Sequence, residues 1–333
     1  MTDVAGLADG PLFGLPLPEL WFALMFAILG TFLFLDGFDF GAGAIFAALD
    51  DDHEREAVLS AIGPFWDGNE VWLVVFGGAL FASFPAVYAD LFSRHYLLMF
   101  AILGALIIRG LAPEMYEQRH DEQWHRWWGR SFVAGSVLAP FFLGAFTGNW
   151  LVGAERTVTL VAVVVGLTVV SLTVVSGSAF LGLKADAYLP DVLDQYGIRA
   201  VVGYLGGVVA TLALLAVELP DGVDTLLSVP VVALVVVSIG LAVAYALAMR
   251  RGAYLGALAA SGGLTYGLVA VVAIVMYPLV DPASGATVSE TIVSTLPLNL
   301  MSIGSAVLLP LVVTYFVVLY TAFRGPVEPG EAY

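Results

Sequence analysis

Phe65-Trp66-Asp67-Gly68-Asn69-Glu70-Val71-Trp72 sets two carboxylates, a carboxamide and two indoles at the head of an apolar run that continues to Ser83. About thirty residues earlier, Asp36-Gly37-Phe38-Asp39 interrupts another apolar run in the same way. An ionisable side chain at the centre of a bilayer costs about 2.5–3.5 kcal/mol, so such residues mark sites or pathways. How these two stretches are read decides whether the apolar runs are membrane helices and what they serve.

The whole chain of 333 residues is 60% hydrophobic and 12% charged, half the charged fraction of an ordinary soluble domain. A spanning helix needs about 20 predominantly apolar residues. That rule predicts an all-α, polytopic membrane protein with nine transmembrane helices, at 19–49, 60–83, 94–112, 129–150, 157–183, 199–218, 229–249, 252–278 and 297–323. These are expected to pack as a single membrane domain over 1–333, helices 1–4 at about 19–150, helices 5–8 at about 157–278 and helix 9 at about 297–323. The first, at roughly 46 Å, exceeds a bilayer core, so a bend near Gly37 or Gly41 or an extension beyond the hydrocarbon is expected.

Loop charges give the orientation. With the N-terminus outside, Arg55, Arg119, Arg126, Arg130, Lys184, Arg199, Arg250, Arg251 and Arg324 fall on the cytoplasmic side and only Arg94 and Arg156 outside, which predicts N-out/C-in. Met1-Thr2-Asp3 carries no basic leader region, so no cleaved signal peptide is expected. With no cysteine, disulfides, thiolate metal sites and iron–sulfur ligation within the chain are excluded. A formal net charge of −16 argues against nucleic acid as a partner. Lys184 is the single lysine among twelve basic residues, and acids cluster at Asp50-Asp51-Asp52 and in the tail, a halophile-like composition.

A transmembrane haem takes its axial ligands from within the bundle. His53, His95, His120 and His125 all fall in loops or at a helix start, and an apolar Met99 or Met276 is more often core filler. The chain is therefore expected to ligate no haem or metal itself and to hold no self-contained catalytic centre. The intramembrane acids are the remaining chemistry. Asp36 and Asp39, and likewise Asp67 and Glu70, are three residues apart and share a helix face. Asp39 lies fourteen residues before His53 and Asp67 fourteen after it, so an antiparallel hairpin centred there brings the two acidic stretches to one depth. They form either a proton relay or a buried hydrogen-bonded cluster that fixes packing; Asn69, a donor and an acceptor, suits both. Gly63 and Pro64 loosen the helix just before the motif. Trp66 and Trp72 are read first as packing. Arg109, closing the predicted third helix, either snorkels to the interface or pairs with a carboxylate. Trp124 to Arg130 reads as an interfacial anchor, and 281–294 as an outer loop.

These residues carry a resemblance. Asp36-Gly37-Phe38-Asp39-Phe40-Gly41, Trp66-Asp67-Gly68-Asn69-Glu70-Val71-Trp72 and Gly77-Gly78-Ala79-Leu80-Phe81-Ala82 with Pro85 and Tyr88 resemble subunit II of cytochrome bd-type quinol oxidases. So do Arg109, Gly148-Asn149, Pro278, Pro282, Ser284, Thr291-Ile292, Pro310, Tyr315, Tyr320 and Phe323-Arg324-Gly325. The resemblance is strong over roughly 30–150 and 276–326 and weak between. It implies an accessory subunit of a respiratory terminal oxidase in the cell (plasma) membrane, paired with a haem-carrying subunit I that ligates haem b and haem d. The complex would oxidise quinol and reduce dioxygen with protons drawn from the cytoplasm.

By motif, Asp39 and Asp67, with Asp36 and Glu70 beside them, would line proton uptake. Trp72, with Trp66 and Asn69 packed near it, would lie by the dioxygen route to haem. A structural quinone is held by some members. Glu70 stands where many members have glutamine, so its role as a proton carrier is open. The rival reading is a proton- or cation-coupled secondary transporter, for which inverted repeats and paired broken helices would be expected and are not seen in the sequence. A third is a structural scaffold.

Overall fold

The computed structural model describes residues 7–327 except His120 and Asp186, and the side chains of 190 and 191 are likewise not described. His120 and the acidic tail thus lie outside the described residues. The chain is almost entirely helical. α1 (Leu17–Ile45) ends in a 3₁₀ turn at Phe46–Ala48. It is followed by α2 (Asp52–Ile62), α3 (Trp66–Ser83), α4 (Pro85–Arg94), α5 (Tyr96–Glu117), α6 (Glu122–Leu151), α7 (Leu160–Ala185) and α8 (Pro190–Glu218). Next come α9 (Gly222–Leu226), α10 (Val229–Met249), α11 (Tyr254–Met276), a two-stranded antiparallel ribbon β1 (Leu279–Asp281) with β2 (Ala286–Thr287), α12 (Val288–Thr291) and α13 (Thr295–Ala322).

Among the described residues, eight helices, α1, α5, α6, α7, α8, α10, α11 and α13, are long and apolar enough to cross a membrane. The multi-pass, all-α reading holds. The segment predicted as one helix over 60–83 is instead two: Gly63, Pro64 and Phe65 form a turn between α2 and α3. Proline there cannot donate into a continuous ladder. The remaining 18 residues of α3 carry Asp67, Asn69 and Glu70 in the first turns, which keeps α3 out of the most apolar group.

Of the two expectations for the long first helix, a bend near Gly37 or Gly41 or an extension beyond the hydrocarbon, no break in helical geometry marks the first. Both positions are regular helix, and their role is close packing. A Cβ at Gly41 would stand 1.9 Å from the Thr173 carbonyl oxygen and 2.9 Å from Gly177 Cα, so α1 and α7 meet backbone to backbone. Other boundaries extend past the apolar runs. α5 continues to Glu117 through Pro113, α6 begins at Glu122, where Asp121 accepts a capping hydrogen bond from Trp124 N, and α8 begins at Pro190. The Trp124–Arg130 anchor is therefore the first turns of a spanning helix.

α5 packs on α6, α6 and α8 on α7, and α7 on α1. Outward faces stay apolar and exposed, including Phe100 and Ile107 of α5 and Val307 and Leu311 of α13, as lipid-facing surfaces are. Long-range hydrogen bonds sort the loops to two ends. At one, Asn299 of α13 donates to Leu7 O at 2.7 Å and Gly10 O at 2.9 Å, and Trp150 Nε1 donates to Val280 O at 2.8 Å. At the other, Lys184 Nζ donates to the Phe323 carbonyl and to Gly325 O, and Val327 N returns a bond of 2.9 Å to Lys184 O. The loop expected over 281–294 is an ordered ribbon and turn. Gly153, at φ 63°, abuts it where a Cβ would lie 2.7 Å from Ala283 N.

Candidate functional site

α1 turns two surfaces to its neighbours. At about 100° per residue, Gly37 and Gly41 lie about 150° around the helix from Asp36 and Asp39. Docking the glycines against α7 therefore aims the acids at α3 and α5. Both carboxylates are fully buried. Facing them is Arg109, 1% exposed. Gly135 of α6 backs this arginine: a Cβ there would be 2.6 Å from Arg109 N and 2.7 Å from Arg109 Cβ. That contact seals the α5–α6 side and leaves the guanidinium directed inward. The helix end expected at Arg109 does not exist; the residue sits two turns inside α5 and does not snorkel.

Arg109 Nη2 lies 2.9 Å from Asp36 Oδ1 and 3.7 Å from Asp39 Oδ2, and its Nη1 donates to Glu70 Oε2 at 3.2 Å. The guanidinium also lies 4.7 Å from the centre of the Phe40 ring and 5.8 Å from that of Trp66. Asn69 closes the other side: its Nδ2 donates to Asp39 Oδ2 at 2.8 Å and to Leu35 O at 3.3 Å, and Tyr320 of α13 donates to its Oδ1 at 2.9 Å. The cluster thus joins four elements and places three carboxylates around one guanidinium. Both oxygens of Asp36 and Asp39 Oδ1 accept no hydrogen bond of good geometry among the described residues. Pro113 has no N–H to return to the Arg109 carbonyl, which leaves a further acceptor at the same level. Buried acceptors of this kind are ordinarily satisfied by water.

Asp67 does not join the cluster. The two acidic stretches meet at one depth, but it is Asn69 that reaches Asp39, because Asn69 points at α1 while Asp67, about 160° around α3, is exposed. Glu70 lies between these directions, and its side chain is 29% exposed. Asp67, Glu70 and Glu114 line a half-open groove of 510 Å³ between α3 and α5. Glu70 is therefore shared by the groove and the buried cluster.

Trp66 packs against Gly110, whose Cβ would stand 3.3 Å from its ring. Trp72 is 6% exposed and meets Phe316 of α13 with ring centres 5.7 Å apart, its Nε1 without a partner among the described residues. Tyr320, with no role assigned from the sequence, is the cluster member that spacing could not reveal; it is 251 residues from Asn69.

A second, partly buried ion pair lies at the junction of α4 and α5. Arg94 binds both oxygens of Asp281, at 2.8 and 2.9 Å, and Ser284 donates to the same carboxylate at 2.7 Å. Burial pushes the Asp281 carboxyl up, but the hydrogen bonds from Arg94 and Ser284 outweigh it and hold the group below the usual carboxylate range. His95 beside it is fully buried, and burial followed by the Arg94 charge holds its imidazole below the usual histidine value. This cluster ties the β-ribbon to the junction of α4 and α5.

The described histidines do not make a haem pocket. His53 packs edge-on to Tyr188, His125 stacks on Tyr116 at 4.1 Å at the end of the bundle, and His95 caps α5 against Phe146. Neither the 330 Å³ apolar cavity between α8, α10 and α11 nor the groove at Glu70 presents a histidine or methionine.

The fold and site define a class: a multi-pass membrane protein with a sequestered acid–base cluster. The chain belongs to the cytochrome bd terminal oxidase subunit II family, whose model matches residues 17–323. A relative from Bacillus subtilis (strain 168), cytochrome bd ubiquinol oxidase subunit 2, is 30% identical over 332 residues, covering 95% of this chain and 98% of the relative. The Escherichia coli (strain K12) cytochrome bd-I ubiquinol oxidase subunit 2 is 36% identical over 140 residues, 42% of this chain and 37% of that protein. The solved bd oxidase from Geobacillus thermodenitrificans matches in fold with a TM-score of 0.77 at 18% identity, covering 93% of this chain and 99% of that one. The chain is thus a subunit of an oxidoreductase of the respiratory terminal-oxidase type, resident in the cell membrane. Membership sets aside the transporter reading.

Proposed function

We propose that this chain is the accessory, non-haem-ligating subunit of a quinol:oxygen oxidoreductase and that it admits protons to a haem-carrying subunit I. The observation that carries the reading is Glu70, which touches both the half-open groove and the Arg109–Asp36–Asp39 cluster. Three acids against one base form a set that can exchange a proton while keeping an ion pair. Asp67 and Glu114 at the groove mouth would collect protons, Glu70 would pass them inward, and Asp39 and Asp36 would hold them beside Arg109. Asn69 orients Asp39 through a direct hydrogen bond, and Tyr320 holds Asn69 in place by donating to its carboxamide oxygen.

In the same reading the chain is one membrane domain over 1–333 that crosses nine times, with α3 as the ninth span, N-out and C-in. The alternation of loops between the two ends of the bundle supports this. Haem b and haem d belong to subunit I, and a quinone is a further ligand of the complex. The exposed apolar faces of α3 and α5 flanking the groove suit burial against that partner. Trp72 and Trp66, packed beside the cluster, would border the path of dioxygen.

Affinity purification of the tagged chain from membranes tests the reading. It should bring down a haem-bearing partner with haem d absorption and quinol-dependent oxygen consumption. A haem-free, monodisperse chain without such a partner would contradict it.

A further inference from the structure

At the end of the bundle where α1 finishes and α6 begins, a half-open pocket of 630 Å³ lies between α2 and the first turns of α6. Three of the chain's twelve basic residues converge on it: Arg55 from α2, and Arg126 and Arg130 from α6. Its inner wall is apolar, formed by Phe46, Val133 and Ala134. On α6 these form one stripe. Arg126 and Arg130 are four apart, and Val133 and Ala134 follow at the next turn toward the bundle centre. The tryptophans of the same turns, Trp127 at 64% exposure among them, mark the level of the membrane interface.

We propose that this pocket binds the phosphodiester headgroup of an anionic membrane phospholipid, with an acyl chain running down the Val133–Ala134 side. Arg130 makes no hydrogen bond or ion pair with any described residue, and Arg55 Nε is buried without a hydrogen-bond partner among them. Arg55 is a fixed part of the wall, its Nη2 donating to Leu49 O at 2.7 Å and its guanidinium 5.7 Å from the centre of the Phe46 ring, while the ion pairs that Arg55 and Arg126 make are weak competitors. Arg126 meets Glu122 at 2.5 Å with both side chains exposed, and Arg55 meets Asp52 at 3.2 Å on the rim. Exposed pairs of this sort contribute 0–1 kcal/mol, so a phosphodiester that takes guanidinium groups two at a time displaces them. Glu122 and Asp52 leave the lining with a net single positive charge, in a chain that is otherwise strongly acidic. That local reversal of sign, directly above apolar wall, matches a lipid headgroup and its chain. A free phosphate ion shares the anionic chemistry but has no use for the apolar wall.

The test is native mass spectrometry of the purified oxidase complex titrated with phosphatidylglycerol, phosphatidylcholine or inorganic phosphate. Phosphatidylglycerol should bind in preference to phosphatidylcholine. Arg130→Gln, at an exposed and unpaired position, should weaken it about fivefold, and Arg126→Gln with Arg130→Gln about 25-fold. Arg251→Gln, exposed at the same end outside the pocket, should leave it unchanged. Haem absorption and thermal midpoint of each variant check that it is assembled. Equal binding of the two lipids, unaltered phosphatidylglycerol affinity in Arg130→Gln, or saturation by inorganic phosphate without competition from phosphatidylglycerol would each overturn the proposal. None of these residues belongs to the Arg109 cluster, so the result is independent of the proton-access reading.

Discussion

Removing Arg109 is the perturbation whose size the structure states most directly. Its guanidinium stands 2.9, 3.7 and 3.2 Å from Asp36, Asp39 and Glu70. At an effective dielectric near 20 each contact is worth about 4–6 kcal/mol before desolvation is subtracted. Arg109→Gln keeps much of the volume and deletes the charge, leaving two buried carboxyl groups and one half-buried without a cation. Breaking a buried pair by removing one partner costs about 3–5 kcal/mol. For a protein of this size that is a fall in thermal midpoint of about 4–7 °C, read from the purified complex by loss of its haem absorption. Arg109→Lys should recover only part of it, because an ammonium cannot reach Nη1 and Nη2 partners at once. Adding Asp36→Asn to Arg109→Gln should restore stability, with a coupling of about 0.5–3 kcal/mol. A midpoint for Arg109→Gln indistinguishable from wild type, or strictly additive losses in the double variant, would refute the claim that the cluster is held by this arginine.

Three further outcomes follow from the packing. Gly41→Ala should reduce assembly, costing about 1–3 kcal/mol or more, because its methyl meets the Thr173 backbone rather than a movable side chain; the yield of intact complex measures it. Lys184→Met removes the donor to the Phe323 and Gly325 carbonyls and should cost about 1.5–3 kcal/mol. Faster amide exchange at the end of α13, and not elsewhere, is the signature. The cluster of Arg94, Asp281 and His95 makes stability depend on acidity in two windows. His95 is held low, so its contribution is complete above the unfolded value of about 6.5 and declines as pH falls below it. Asp281 is also held low, so its contribution is complete above about 4 and is lost as pH falls through the folded value. Arg94→Gln should flatten the lower window in a plot of thermal midpoint against pH, and an unchanged lower limb would contradict this.

Hydropathy located the helices because burial in lipid writes a long, uninterrupted apolar signal. The run 229–249 coincides with α10, and 297–323 with α13 to within two residues. Helix ends are not legible from hydropathy where a helix continues into polar sequence. The apolar run ending near Arg109 suggested a terminus, yet α5 continues through Pro113 to Glu117, and that difference turns an interfacial arginine into a buried one.

Spacing also fixed which residues share a face, but not what each face meets. Asp67 and Glu70 were paired by their separation of three, while the choice of Asn69 as the partner of Asp39 depends on how α3 is rotated against α1. Tyr320, Gly135 and the Arg94–Asp281 pair are long-range partners, and no local pattern announces them.

The central claim is that protons reach the oxidase through the buried acids of this chain. Asp39→Asn is the most direct probe, since it preserves shape beside Asn69 and removes the titrating group. Proton uptake and oxygen consumption should be measured in the purified complex with haem content held equal. The account predicts that both fall by about tenfold or more, with Glu70→Gln giving a loss in the same direction. Wild-type proton uptake and turnover in a fully assembled Asp39→Asn complex would contradict it.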